Sequence, residues 1–172
     1  MSKRKPATKV NLVSSVCSID FEALRAQGVK CLLFDIEGTI ALWGTSTVTD
    51  DVARCIKKSG IKKIGIVTNI NHAHAKRVEQ VAQQISAGAY HYPESAHQRK
   101  PKPYMINACL DELGVRPQET VMIGDKLFDV LAAKNAKLPA MFWVDRLGDA
   151  DNWFDRNIYR RVEPLLKRLL SS

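Results

Sequence analysis

The 172-residue chain has no run of apolar residues long enough to cross a membrane, which takes about 20 in succession. Its first residues, MSKRKPATKV, contain no apolar segment of the kind found in secretory signals. No acidic residue precedes Asp20, as in some transit peptides, but a start rich in Lys with a Pro is more typical of a disordered tail. We therefore expect a cytoplasmic protein, with the mitochondrial matrix as the alternative, and assign residues 1–10 to a basic flexible N-terminus.

Cysteine is scarce, and its spacing forms no metal-binding or redox motif. The cysteines are Cys17, Cys31, Cys55 and Cys109. They include no C-x-x-C pair and have no histidines at zinc spacing, so neither a disulfide framework nor a zinc site is expected. The sequence instead predicts buried thiols in a reducing compartment.

Acidic residues are outnumbered, with 18 Asp and Glu against 26 Lys and Arg, so the formal net charge is +8. This balance favours anionic partners such as phosphate esters, anionic lipid or nucleic acid. No repeat and no aromatic strand pattern of an RNA-binding module occurs, and no nucleic-acid partner is expected. With 45% hydrophobic residues, the segment 11–172 can form one domain with its own core.

Short apolar runs alternate with amphipathic segments from residue 19 onward. The pattern predicts helices at 19–27, 49–58, 72–85, 103–113 and 127–135, and strands at 30–34, 62–67, 88–91, 120–123 and 140–144. This rhythm is typical of an α/β fold in which helices cover both faces of a parallel sheet. Ligands bind such sheets at the carboxyl ends of the strands, so the polar residues there are the candidates for a site.

Polar residues from four distant segments are predicted to meet at that edge. They are Asp35 and Glu37 in FDIEGTI, Thr68 and Asn69 in VTNI, Lys100 in HQRKPKP, and Asp125 and Asp129 in GDKLFD. Taken alone, Asp-x-Glu after a strand is more typical of a turn or a helix cap. Together, the carboxylates, the hydroxyl and the cation indicate a Mg²⁺ site for a phosphate, where an aspartate can attack phosphorus.

These segments resemble, in order, the four motifs of haloacid dehalogenase superfamily phosphatases, which implies a Rossmann-like fold and phosphate ester hydrolysis with Mg²⁺. The resemblance implies that Asp35 is the nucleophile and a Mg²⁺ ligand. Residue 37 would be the general acid and base and would bind Mg²⁺ through its backbone carbonyl. Asp125 would be the third protein ligand.

The same resemblance implies roles for the remaining motif residues. Those implied to contact the substrate phosphate are Thr39, Thr68, Asn69 and Lys100. Lys100 would also neutralise the nucleophile, although Lys102 precedes a proline in the same way and is a rival. Asp129 would support the metal ligands without binding the metal.

The spacing of the motifs leaves no room for a cap domain. Predicted helices and strands fill the stretches from Asp35 to Thr68 and from Thr68 to Lys100, so neither can hold an extra domain of about 50 residues. A capless site cannot enclose a small metabolite, and it suits a phosphate carried on a lipid, polymer or protein.

Among capless members, those of subfamily IIIA, the chain resembles the YqeG-type phosphatidylglycerophosphate phosphatases over nearly its whole length. The segments that carry this resemblance are SIDFEALRAQGVKCLLFDIEGTIALWG, VTNINHAHAKRV and DRNIYRRVEP. It implies an anionic phospholipid substrate and peripheral contact with an anionic membrane. The chain departs from that family at Glu37 and Gly38, usually Asp and Asn, and in the spacing of the last motif.

Two alternatives to the phospholipid phosphatase stay open. One is a capless phosphatase for another bulky substrate, such as a polynucleotide end, a phosphoprotein or a sugar phosphate. The other is a catalytically silent protein that uses the pocket to bind an anionic partner.

Two apolar features have alternative interpretations. Trp43 either forms the lip of the site at a lipid interface or anchors its loop in the core. Residues 152–170 either pack an apolar stripe on the sheet, the favoured interpretation, or form a basic amphipathic helix on a membrane. Pro164 is expected to break that helix in two.

Overall fold

The computed structural model describes residues 7–148 and 160–170. Its centre is a parallel sheet of six strands in the order β1-β6-β5-β2-β3-β4. The strands are β1 (Lys9–Val13), β2 (Cys31–Phe34), β3 (Lys63–Val67), β4 (Ala89–His91), β5 (Thr120–Gly124) and β6 (Ala140–Val144). The central strand β2 pairs with β3 on one side and β5 on the other, which places the residues after all three strands side by side.

Six α-helices accompany the sheet in the described part of the chain. They are α1 (Phe21–Ala26), α2 (Asp50–Lys58), α3 (Ala75–Gln84), α4 (Tyr104–Leu113), α5 (Leu127–Asn135) and α6 (Arg160–Leu170). Alternate residues of β2 point to opposite faces of the sheet, so Leu32 joins a core cluster with α2 and α3, whereas Leu33 joins a second cluster with α4 and α5. The α/β prediction is confirmed. Between Asp35 and Lys100 the described chain holds loops, turns, α2, β3, the short 3-10 helix His72–His74, α3 and β4, and therefore no cap domain.

Strand β1 is not predicted by the sequence. It corrects the assignment of residues 1–10 to a flexible N-terminus. Lys9 and Val10, expected in the flexible tail, pair with Ala140 and Met141 of β6, and Val10 is buried. The segment KVNLV is a short edge strand with polar residues, so only its pairing with a strand distant in sequence makes it recognisable. Residues 1–6 of the predicted tail lie outside the described residues.

The cysteines divide into two pairs. Cys31 and Cys109 are buried free thiols, as predicted, and burial raises the pKa of Cys31 to about 12. The prediction is wrong for Cys17 and Cys55, which form a disulfide with their Cα atoms 5.4 Å apart. The bridge ties the turn Val16–Ser18 to α2, a contact that only tertiary packing creates. Disulfides are uncommon in reducing compartments, so this bridge does not support the predicted reducing compartment.

Helix α6 runs through Pro164, so the expected break is absent from the described helix. Pro164 lies one turn from the first described residue, where it removes one backbone hydrogen bond. Packing of Leu166 and Leu170 against the second core cluster offsets this loss, while Leu165 and Leu169 stay exposed. The predicted helical residues 152–159 lie outside the described ranges. Among the described helices, none has the length and the hydrophobicity that a membrane span requires.

Reduction of the Cys17–Cys55 bridge should lower the thermal stability. A cross-link between residues 38 positions apart restricts the unfolded chain enough to stabilise the fold by about 4 kcal/mol. We expect a reductant to lower the melting temperature of the wild-type protein and to leave a Cys17→Ser/Cys55→Ser double variant unchanged. An equal melting temperature for oxidised and reduced wild-type protein would contradict this expectation.

Candidate active site

Asp35 follows β2 directly and begins a tight loop at the carboxyl edge of the sheet. Its backbone N–H donates to the carbonyl of Ile123 at 3.0 Å, which extends the pairing of β2 with β5 by one residue. The loop then turns through Gly38, whose φ of +78° favours glycine. A Cβ atom on Gly38 would lie 2.6 Å from Oδ2 of Asp125, so a larger residue here would collide with the site.

Lys100 brings the ends of β2, β3 and α5 together. Its Nζ atom is 2.9 Å from Oδ1 of Asp35 and 2.6 Å from Oδ1 of Asp129, and it donates a hydrogen bond to the carbonyl of Val67 at 2.9 Å. Burial alone would lower the pKa of Lys100, but Asp129 and then Asp35 outweigh it and hold this pKa above its usual value. The ammonium group is therefore charged and fixed between the two carboxylates.

The loop that presents Lys100 is held by Asn69. The Asn69 side chain accepts a hydrogen bond from the backbone N–H of Lys100 at 2.8 Å and donates one to its carbonyl at 3.2 Å. The amide expected to contact substrate is thus engaged in positioning Lys100. Lys102, the rival, points elsewhere and lies 3.2 Å from Nδ1 of His97 in an exposed contact.

Asp125 is buried at the end of β5 and accepts hydrogen bonds on both oxygens. Arg146 donates to Oδ2 at 2.7 Å, and the Thr39 hydroxyl donates to Oδ1 at 3.3 Å. Thr39 therefore fastens the Asp35 loop to Asp125. Burial, and then the charges of Asp35 and Asp129, raise the pKa of Asp125 above its usual value, although Arg146 opposes the shift.

Asp129 is buried in the first turn of α5 and has both oxygens engaged. Oδ1 contacts Lys100, and Oδ2 accepts a hydrogen bond from the backbone N–H of Lys126 at 3.0 Å. Gly124 allows this approach, because a Cβ atom there would lie 2.5 Å from Cγ of Asp129. Asp129 thus contacts Lys100 and the first residue before α5, and its predicted supporting role stays a prediction.

The acidic cluster fits a divalent cation. Oxygen atoms of Asp35, Asp125 and Asp129 lie within 4.8 Å of one another, and all three residues are buried. Oδ1 of Asp35 is also buried and accepts no hydrogen bond from the described residues, although the Lys100 ammonium is close. Hard cations such as Mg²⁺ prefer clustered carboxylate oxygens of this kind.

A cavity of about 540 Å³ opens in front of these residues. Asp35, Thr68 and Lys100 line its polar end, and the hydroxyl of the buried Thr68 accepts a hydrogen bond from the backbone N–H of Ile70 at 3.3 Å. Its apolar walls are formed by Trp43, Ile70, Leu127, Phe128, Val162 and Leu166. Trp43 is 46% exposed, so of its two interpretations the structure favours the lip of the site over a buried anchor.

Two arginines complete the site without having been predicted. Arg146 contacts Asp125, and Arg77 on α3 lies 2.5 Å from Oε1 of Glu37. Arg146 follows β6 by two residues, so the strand-end rule could have identified it. Nothing in the sequence marks Arg77, because its contact depends on how α3 packs over the loop.

Comparison with known proteins places the chain in a family. The model of haloacid dehalogenase-like hydrolases matches residues 17–137, and the chain therefore belongs to that family of hydrolases.

Two curated relatives differ in how much they share with the chain. The probable phosphatase YqeG of Bacillus subtilis is 24% identical over 162 residues, which cover 91% of this chain and 89% of that protein. The putative pyrophosphatase PpaX of Clostridium perfringens is 33% identical over 93 residues, or 51% of this chain. The matched part spans only 41% of the Clostridium protein.

Solved structures share the fold at low identity. An uncharacterized protein from Listeria monocytogenes has a TM-score of 0.55 and 16% identity, with 72% of this chain and 85% of that chain covered. CbbY from Rhodobacter sphaeroides has a TM-score of 0.51 and 16% identity, with 75% and 92% covered. At this identity the likeness shows the fold alone.

Mg²⁺ should stabilise the protein against heat, and more so at about pH 8 than at about pH 5. The raised pKa of Asp125 means that the metal-free fold loses stability as the pH rises from about 3.8 to about 7, because the unfolded chain releases a proton that the folded protein retains. Above about pH 7 the carboxylates are charged and repel one another, and bound Mg²⁺ would reduce this repulsion. At lower pH, protons compete with the cation.

The measurement is the melting temperature with and without Mg²⁺ at matched ionic strength and at both pH values. An Asp125→Asn variant should lose most of the Mg²⁺ effect. A Mg²⁺ effect of equal size at both pH values, or its full retention in the variant, would contradict the assignment of a metal site to this cluster.

Proposed function

We propose that the protein is a Mg²⁺-dependent phosphate monoester hydrolase that works through an aspartyl-phosphate and whose substrate is phosphatidylglycerophosphate. The observation that carries the proposal is the buried contact of Lys100 with Asp35, beside Asp125 and at the polar end of the cavity. Membership of the hydrolase family supports it.

In the first step, Asp35 attacks the phosphorus atom, and the bond to the leaving oxygen breaks as the bond to the carboxylate forms. Glu37 gives its proton to the leaving alkoxide. Lys100 and Thr68 hold the phosphate oxygens through the ammonium group and the hydroxyl. Mg²⁺, held by Asp35, Asp125 and the backbone carbonyl of Glu37, would supply positive charge to the phosphate.

In the second step, the aspartyl-phosphate is hydrolysed. Glu37, now a carboxylate, takes a proton from a water molecule that attacks phosphorus, and the bond between phosphorus and Asp35 breaks. The products are inorganic phosphate and free Asp35, while Glu37 has regained its proton. The same residue thus acts as acid and then as base.

The apolar walls of the cavity favour an amphiphilic substrate. A phosphate at the polar end would leave the rest of the molecule against Trp43, Phe128 and Val162, each more than two fifths exposed. No cap domain lies in the described chain between the first motif and the Lys100 loop, and the net charge of +8 attracts anionic surfaces. The likeness to the probable phosphatase YqeG over 91% of the chain supports phosphatase activity. A cytoplasmic location at the inner membrane surface stays a prediction.

Asp35→Asn should abolish phosphate release. The amide cannot act as the nucleophile, and loss of a nucleophile costs about a thousandfold or more in kcat. The measurement is Mg²⁺-dependent release of inorganic phosphate by wild-type and variant protein, with Asp111→Asn as a control on the exposed surface of α4. Unchanged turnover in Asp35→Asn would defeat the mechanism.

Phosphatidylglycerophosphate in mixed micelles should be hydrolysed with a higher kcat/KM than soluble esters. The apolar walls contribute binding energy only for an amphiphilic substrate. The panel includes a sugar phosphate, a phosphopeptide and an oligonucleotide with a terminal phosphate. A higher kcat/KM for the oligonucleotide than for the phospholipid would overturn the substrate assignment. Binding of esters without any phosphate release would favour the alternative of a catalytically silent binding protein.

A further inference from the structure

The Glu37 side chain is held by two contacts that both fall on the same oxygen. Nη2 of Arg77 lies 2.5 Å from Oε1, and the backbone N–H of Gly44 donates to Oε1 at 3.2 Å. Within residues 7–148 and 160–170, Oε2 accepts no hydrogen bond, which leaves it available for proton transfer. The Glu37 carboxylate is thus held through Oε1, while Oε2 can exchange a proton.

Arg77 lies in the first turn of α3 and reaches across to the Asp35 loop. The side chains of Arg77 and Glu37 are only 18% and 20% exposed, so this pair is less screened by water than a surface ion pair. In the described parts of the chain, Glu37 is the polar partner of the guanidinium, and Nε of Arg77 is buried without a hydrogen bond. Because the described core offers no acceptor to Nε of Arg77, the contact with Glu37 is the one that explains why the guanidinium lies here.

The length of the Glu37 side chain fits this contact. An aspartate at position 37 would be shorter by one methylene, roughly 1.5 Å, and its carboxylate would end short of Arg77. The guanidinium approaches only one oxygen of Glu37 and does so from the helix, while Gly44 approaches from the loop. The two contacts therefore define where a glutamate at this position places its free oxygen.

We infer that Arg77 is a positioning residue for Glu37 and that the two side chains form a matched pair. The inference rests on the proposed function, in which Glu37 transfers protons to the leaving oxygen and from water. Arg77 is not among the residues that line the cavity, so in the proposed mechanism it would touch neither substrate nor the reacting atoms. It acts by holding Oε2 within reach of the proton to be transferred, and a displacement of about 1 Å at such a group can cost about a hundredfold in rate.

The test compares two esters that differ in their need for a general acid. Glycerol phosphate has a poor alkoxide leaving group that needs a proton, whereas p-nitrophenyl phosphate has a phenolate that leaves without one. Arg77→Met should lower kcat/KM for glycerol phosphate by about tenfold or more and for p-nitrophenyl phosphate by much less. Arg77→Lys, which keeps the charge, should retain more activity on glycerol phosphate than Arg77→Met.

The pairing is tested by adding Arg77→Met to a Glu37→Asp variant. Because the shorter aspartate side chain would not reach the guanidinium, we expect Arg77→Met to change kcat/KM by less than about twofold in that background. Lys76→Met removes an exposed cation from the same turn of α3 and should leave kcat/KM unchanged in both backgrounds. Melting temperatures of all variants verify that the protein is folded.

The outcomes separate the inference from the proposed function. Three results would overturn the pairing: an equal loss of kcat/KM on both esters, no loss in Arg77→Met, or the same loss in the wild-type and the Glu37→Asp backgrounds. In each case, phosphate release that depends on Asp35 would still support the proposed function. No phosphate release from any ester by the wild-type protein would overturn the function and the inference with it.

Discussion

Three carboxylates lie buried at one edge of the sheet, and the rest of the site depends on how their charge is offset. Burying a carboxylate is costly unless it is paired and hydrogen-bonded. Lys100 contacts Asp35 and Asp129, and Arg146 contacts Asp125. Two cations against three ionised carboxylates leave a net negative charge. Burial, and then the charges of Asp35 and Asp129, raise the pKa of Asp125. A divalent cation would offset this charge, which is why the arrangement favours a metal site over a set of structural ion pairs.

Backbone geometry brings these groups close enough to interact. The parallel order of β5, β2 and β3 delivers the residues at the ends of all three strands to one edge. Glycine at 38 and at 124 then lets the Asp35 loop approach Asp125 and lets β5 approach Asp129. Asn69 fixes the main chain of Lys100, so the long lysine side chain starts from a fixed position. The charges are therefore placed by the turns as much as by the strands.

The sequence predicts those parts of the protein that local pattern determines. The strands of the sheet other than β1 appear as apolar runs, and the positions of Asp35, Lys100 and Asp125 follow from strand ends and motif order. Contacts between elements distant in sequence are not encoded locally. Strand β1 needs β6 as its partner, the Cys17–Cys55 bridge needs α2 packed beside a turn, and α6 tolerates Pro164 because its leucines reach the core. Arg77 was missed for the same reason, since a lone arginine in a helix has no signature.

In the proposed mechanism, the open site explains why Glu37 would need a partner from within the domain. In an enzyme that closes over its substrate, a lid can complete the catalytic arrangement and exclude water. Here the described chain holds no cap domain between Asp35 and Lys100, and none of the described residues closes the cavity beside Glu37. A glutamate that samples many rotamers in such a site would seldom be in position for proton transfer, and the reaction would be slower. The contacts from Arg77 and Gly44 restrict that freedom without a lid, which supports the acid and base role proposed for the longer side chain at position 37.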